Sequence, residues 1–184
     1  MSGWIAHGAC CRPMPTASRR HSRTSTLHTD APDMPLPLLL ALLLSFPIPA
    51  CADLTVTDDT GRAVQLPAPA RRIVAVAPHA AELLHAAGAG AALVGVVQYA
   101  DFPPAVRALP SVGSYTGFDL EALLALKPDL VIGWDSGNPP AQLARIEALG
   151  IPVFRTEARV ADDIATDIEK LGELAGTAAV ATQA

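Results

Sequence analysis

A chain of 184 residues with 13 basic and 18 acidic side chains, formally −5 with its histidines neutral, has room for one domain with a real core and is crowded for two. From Asp53 onward the balance is more acidic still, 9 basic against 16 acidic residues, which leaves no electrostatic footprint for nucleic acid. All three cysteines, Cys10, Cys11 and Cys51, precede that point, so the rest of the chain carries neither a disulfide framework nor a cysteine-based zinc site.

The first 52 residues do not read as fold. Residues 1–33 are rich in Ser, Thr, Arg and His with no hydrophobic period, the pattern of a disordered stretch or of a start assigned too far upstream. Met34 offers a later start, and the 11-residue apolar run Leu36–Phe46 follows at once. That run is too short to cross a bilayer but suits the core of a signal peptide. Ala50-Cys51-Ala52 then supplies the small residues of a cleavage site before Asp53, so 34–52 is expected to be a signal peptide and the remainder to be exported. No Lys or Arg stands between Met34 and the run, whereas an upstream start would supply Arg19, Arg20 and Arg23. Ile48-Pro49-Ala50-Cys51 is also similar to a bacterial lipobox, which would put a lipid on Cys51. Pro49 fits that motif poorly, and plain cleavage is the favoured reading. A buried helix over the run is opposed by Pro35, Pro37, Pro47 and Pro49.

In the remaining chain, Leu54–Thr57 and Arg62–Leu66 flank Asp58-Asp59-Thr60-Gly61, which predicts a lead-in hairpin followed by a linker to residue 71. Arg72–Ala77 reads as a buried strand broken at Pro78, and Ala80–Ala87 as a helix stopped by Gly88 and Gly90. A second apolar strand covers 93–97. Asp119 can cap a helix that shows Leu120, Leu123 and Leu124 on one face and ends at Pro128. Leu130–Ile132 is a third strand. Asn138 and Pro139 begin a helix with Leu143, Ile146 and Leu149 on one face and Gly150 as its stop. Pro152–Arg155 is a fourth strand. From Val160 the spacing of Ile164, Ile168 and Leu171 is helical, and Ala178–Ala184 reads as the start of a further helix. Four apolar strands alternating with helices predict an α/β fold, a single Rossmann-like lobe whose four-stranded parallel sheet is flanked by helices, with a short N-terminal β-hairpin.

Only six aromatic residues follow Ala52, and five of them, Tyr99, Phe102, Tyr115, Phe118 and Trp134, fall between Val94 and Asn138. Tyr99, Tyr115 and Trp134 occupy loops, two of them directly after strands. Open α/β sheets bind ligands beside the carboxyl ends of their strands, which makes this stretch half of a binding cleft. Phe102 and Phe118, beside Pro103 and Leu120, are expected in the core. His79 has no Cys, Asp or second His at ligand spacing, which opposes a metal site built from protein alone; contact with the metal of a bound ligand stays open. Glu82 reads as a dipole-complementing acid in the first turn of its helix, and Asn138 as a cap, although Asn138 and Asp135 could also meet a ligand's amides. No Gly-x-Ser-x-Gly elbow, Walker lysine loop or Gly-x-Gly-x-x-Gly turn occurs, and no cysteine nucleophile follows Ala52. The chain is therefore expected not to be an enzyme.

The segments APHAAELLHAAGAG (77–90), VGVVQYADFPP (94–104) and GSYTGFDLEALLALKPDLVIGW (113–134) resemble the periplasmic cobalamin-binding proteins of ABC importers, within the wider group that binds cobalamin, haem and iron-siderophores. The resemblance runs from about Arg72 to about Gly176. It implies a substrate-binding lobe over 72–176 and the start of an interlobe helix over 177–184, with the family's second lobe absent. It further implies that Tyr99, Tyr115 and Trp134 face a corrinoid, Tyr115 standing where a relative has Trp. Pro78 and His79 would line the cleft, and Glu121 would dock to arginines of the permease. Cobalamin would be cargo, with no resident cofactor, and the protein a periplasmic monomer. Haem or a ferric siderophore is the alternative ligand within the group. A non-binding product of a truncated gene is the alternative of another class.

Overall fold

The computed structural model describes residues 53–184. The expected signal peptide at 34–52, the segment before it and the candidate lipid site Cys51 lie outside the described residues.

Strands β1 (Leu54–Thr57) and β2 (Ala63–Leu66) pair antiparallel, with Val56 opposite Val64. Their turn is held by Asp58, whose Oδ1 accepts from the backbone N–H of Thr60 and of Arg62 at 3.0 and 2.9 Å. Gly61 supplies the positive φ of +83° that the turn requires.

The main sheet contains β3 (Ile73–Ala75), β4 (Leu93–Val96), β7 (Leu130–Trp134) and β8 (Val153–Thr156), all parallel, in the order β4-β3-β7-β8. Between β4 and β7 the chain forms a 3₁₀ turn at Pro104–Ala108 and a small ribbon of β5 (Gly113–Ser114) and β6 (Gly117–Phe118), none of which the hydrophobic pattern announces. The helices are α1 (Pro78–Ala86), α2 (Leu120–Ala125), α3 (Pro140–Ala148), α4 (Ala161–Ala175) and α5 (Ala178–Ala181).

Alternate residues of each strand feed opposite faces of the sheet. Ile73, Ala75, Leu130, Ile132 and Phe154 pack with Ala80 and Leu84 of α1, Leu171 and Leu174 of α4, and Val56, Val64 and Leu66 of the hairpin. On the other face Val74, Val131 and Val153 meet Leu123 of α2 and Leu143 and Ile146 of α3. Each fully buried leucine or isoleucine contributes about 1.5–3 kcal/mol relative to exposure. Covering both faces is what lets these strands be apolar throughout.

Local chemistry sets the element ends. Asp119 caps α2 as expected, its Oδ1 accepting from Glu121 N at 2.9 Å and Ala122 N at 3.1 Å. Within Leu-Lys-Pro-Asp-Leu, the Asp129 carboxylate accepts from the backbone N–H groups of Arg71 and Arg72 at 2.8 and 3.0 Å, tying the entry of β3 to that of β7. Gly150 (φ +80°) and Gly176 (φ +72°) end α3 and α4. Three bounds move. Helix α1 begins at Pro78, so Pro78 and His79 form its first turn instead of a loop, and Glu82 falls in the second turn. Proline suits a first helical position because its missing N–H has no partner there anyway. Helix α5 is shorter than the pattern of 178–184 suggests. Phe102, expected in the core, is 62 % exposed, whereas Phe118 is buried as expected.

Candidate functional site

From β3 the chain steps outward to β4, then crosses back over β3 to β7 and β8. The strand order therefore reverses between β3 and β7, and the carboxyl ends of these two strands border the crevice where such sheets take ligands. Pro78 and His79 follow β3 at that point, and Trp134 is the last residue of β7.

The rings meet there. His79 and Trp134 lie 5.4 Å apart between centroids with planes at 89°, edge to face. Tyr115, from the turn between β5 and β6, lies 6.1 Å from Trp134 at 36°. All three are half-buried. Tyr99 stands beyond β4 at the same edge of the sheet, 78 % exposed, with φ +67°, and stacks on no other ring among the described residues. A bulky residue in the left-handed region is a strained placement that the surroundings must hold, here through the adjacent Gln98 N–H donated to Gly113 O at 2.7 Å. Two of the three sequence-predicted aromatics are thus in mutual contact, and the third projects from the rim. Glu121 is exposed in the first turn of α2.

Asn138 positions this wall. It is 3 % exposed, and its side chain reaches three separate segments at once. Its Oδ1 accepts from Trp134 N at 2.7 Å, while Nδ2 donates to Val76 O at 2.9 Å and Tyr115 O at 2.7 Å. The expected role of Asn138 as a helix cap is overturned, for α3 is preceded by Pro139 and has no side-chain cap. Its place between Gly137 and Pro139, directly after the aromatic, is the signal that could have marked it. Gly137 matters sterically, since a Cβ there would overlap Trp134 Cε3. Asp135 is paired with Arg155 at 3.1 Å and is therefore committed within the protein.

Beneath Trp134 an open hollow of about 340 Å³ runs between α1, the end of β8 and α4, lined by His79, Glu82, Trp134, Thr156 and Asp167 among others. Burial lowers the His79 pKa, against the raising influence of Glu82 and Glu157. Burial, reinforced by the neighbouring Asp59 carboxylate, pushes Asp167 up to about 7. Asp59 itself is desolvated, yet Lys170 at 2.8 Å and the Glu157 N–H hold it below the ordinary carboxylate range. Another hollow of about 280 Å³, bordered by Arg62, Glu147 and Ile151, has no aromatic lining. Among the described residues no group of three or more His, Cys, Asp or Glu side chains could hold a metal ion.

An open doubly wound sheet with aromatic side chains at its switch point has the architecture of a ligand-binding lobe. Comparison with known proteins narrows this: residues 73–184 match the Periplasmic binding protein family, to which the chain belongs. It is 38 % identical over 135 residues to a vitamin B12-binding protein of Vibrio cholerae, covering 73 % of this chain and 48 % of that one. A vitamin B12-binding protein of Yersinia pestis is 40 % identical over 129 residues, 70 % of this chain and 45 % of that one. Among solved structures, the periplasmic vitamin B12-binding protein of Vibrio cholerae superposes with a TM-score of 0.60 at 40 % identity, over 62 % of this chain and 45 % of that one. A periplasmic haem-binding protein of Pseudomonas aeruginosa gives 0.58 at 30 %, over 62 % and 41 %. The chain spans about half the length of the curated relatives it matches.

Proposed function

We propose that the chain captures cobalamin in the periplasm and presents it to an ABC permease, with Trp134, Tyr115 and Tyr99 as the wall and Pro78 and His79 at its base. The observation that carries this reading is the gathering of the Trp134, Tyr115 and His79 rings at the switch point. A corrin is a broad, mostly apolar disc edged with amides, and aromatic side chains give such a disc contact area at small entropic cost. The similarity to proteins named for vitamin B12 supports the same ligand. The cobalamin is cargo on this reading, and binding alone is required of the chain. Glu121, exposed in the first turn of α2, is the residue proposed to meet the permease.

Haem is the second reading, because a neighbour at 30 % identity is named for it and a porphyrin is also a flat chelate. Titration of the purified chain with cyanocobalamin, ferric haem and a ferric siderophore, followed by isothermal calorimetry, separates them. The expected outcome is saturable cyanocobalamin binding, weakened about tenfold or more by Trp134→Ala, as for a central aromatic anchor. Saturation by haem or the siderophore without cyanocobalamin binding would remove the cobalamin assignment.

A further inference from the structure

The hollow beneath Trp134 differs from the wall above it, because the titratable side chains that line it are one histidine and two carboxyl groups, with no Lys or Arg among them. Thr156 has a single hydroxyl hydrogen, donated to Gly133 O at 3.0 Å, and a carbonyl can only accept. The 3.0 Å contact between His79 Nε2 and the same hydroxyl oxygen is therefore an N–H donated by the imidazole. With the ring neutral, its one proton sits on Nε2 and Nδ1 presents a lone pair. Nδ1 has no hydrogen-bond partner among the described residues, and it is not among the atoms sealed from solvent.

Two carboxyl groups share the lining. Glu82 projects from α1, exposed, on the side that borders the hollow. Asp167 of α4 is 0 % exposed, and neither of its oxygens receives a hydrogen bond. No Lys or Arg lines the space, and Lys170 on the same helix is committed to Asp59 at 2.8 Å. The N-terminus of α1 offers little to an anion: Pro78 has no N–H, and that of Ala80 goes to Ala77 O at 3.2 Å.

We propose that this hollow is a subsite that reads the rim of the bound chelate for hydrogen-bond donors: His79 Nδ1 and the Glu82 carboxylate accept N–H groups from side-arm amides, and the same acceptors turn away a rim that carries carboxylates. The proposal rests on the cleft being a corrinoid site and adds the basis on which an amide-edged disc is chosen over an acid-edged one. The discrimination is partly repulsive. A ligand carboxylate placed here would face lone pairs and a like charge with no cation to offset them.

The test is titration of the chain with cyanocobalamin and with the three monocarboxylates in which one side-arm amide has been hydrolysed, on the wild type, Glu82→Gln and Glu82→Lys. Glu82 is exposed on α1, so these variants do not threaten the core. In the wild type at least one monocarboxylate should bind about tenfold more weakly than the parent, the scale of a like-charge penalty at a partly desolvated site. Glu82→Gln should narrow that gap and Glu82→Lys should close or invert it. Equal affinity for the amide and acid forms in the wild type, or a ratio unmoved by Glu82→Lys, would overturn the subsite and leave the cobalamin assignment intact. If no corrinoid binds the wild type, the cobalamin assignment fails and the subsite fails with it.

Discussion

One carboxamide, that of Asn138, joins the ends of β3 and β7 to the turn that carries Tyr115. Each of its three partners is a backbone group, and each would be left unpaired on truncation. Leaving such groups buried and unsatisfied costs roughly 1–3 kcal/mol apiece before relaxation or water entry. Asn138→Ala should therefore lower stability by about 3 kcal/mol in urea unfolding and broaden the environment of Trp134, read as a shifted tryptophan emission. Asn138→Asp tests the assignment further, because it keeps the acceptor for Trp134 N and removes both donors. A loss of less than about 0.5 kcal/mol, the range of an ordinary surface change, would show that the three bonds do not hold the site. Asn followed by Pro reads as a helix start from local sequence alone, since the partners Val76 and Tyr115 are 62 and 23 residues distant. His79 illustrates the same limit: its position after a strand is legible, but the tautomer is set by Thr156, 77 residues on.

At the scale of elements, the lead-in hairpin is fastened to α4 and β8 by Asp59. Its Oδ1 receives Lys170 Nζ at 2.8 Å, its Oδ2 receives Glu157 N at 2.8 Å, and Asp167 stands beside it with its carboxyl pushed up to about 7. The ordinary value of that carboxyl is 3.8, so the folded state binds its proton more tightly than the unfolded one. Its contribution is full below about pH 4 and is lost as pH rises through about 7, where two carboxylates share one lysine. Asp59 has the opposite sign, being held low, and its contribution is lost only in acid. Unfolding free energy should decline between pH 5 and pH 8 by on the order of a few kcal/mol. Asp167→Asn, which is close in shape but does not titrate, should flatten that decline and unfold later at pH 8. A wild-type melting temperature independent of pH over this interval would refute the linkage. The strands, the helices and the cap at Asp119 are legible because period, Gly, Pro and Asx signals are local. The 3₁₀ turn and the β5–β6 ribbon are not, because they are short and set by packing against the end of β4, where Val96 bridges Ser111.

For the molecule as a whole, the strand order β4-β3-β7-β8 gathers residues from four connections at one edge. Glu121 belongs to that edge, since a helix leading into β7 in a parallel sheet begins at the carboxyl side. On the proposed capture role, a strain whose cobalamin uptake is made to depend on this chain should import less with Glu121→Ala, while cyanocobalamin titration stays unchanged. Uptake equal to wild type would remove the docking role. By itself the sequence determined the fold class, the alternation of strands and helices, and the loops that hold Tyr99 and Tyr115, because these follow from hydrophobic period and backbone chemistry within a few residues. Trp134, expected in a loop, is the last residue of β7. Only the tertiary structure decided that Trp134 meets Tyr115 and His79 while Tyr99 points outward, that Phe102 is exposed, and that Asp167 lies unpartnered beside Glu82 and His79. Contacts between residues tens of positions apart depend on which strands become neighbours, and that choice is made by packing the whole core at once.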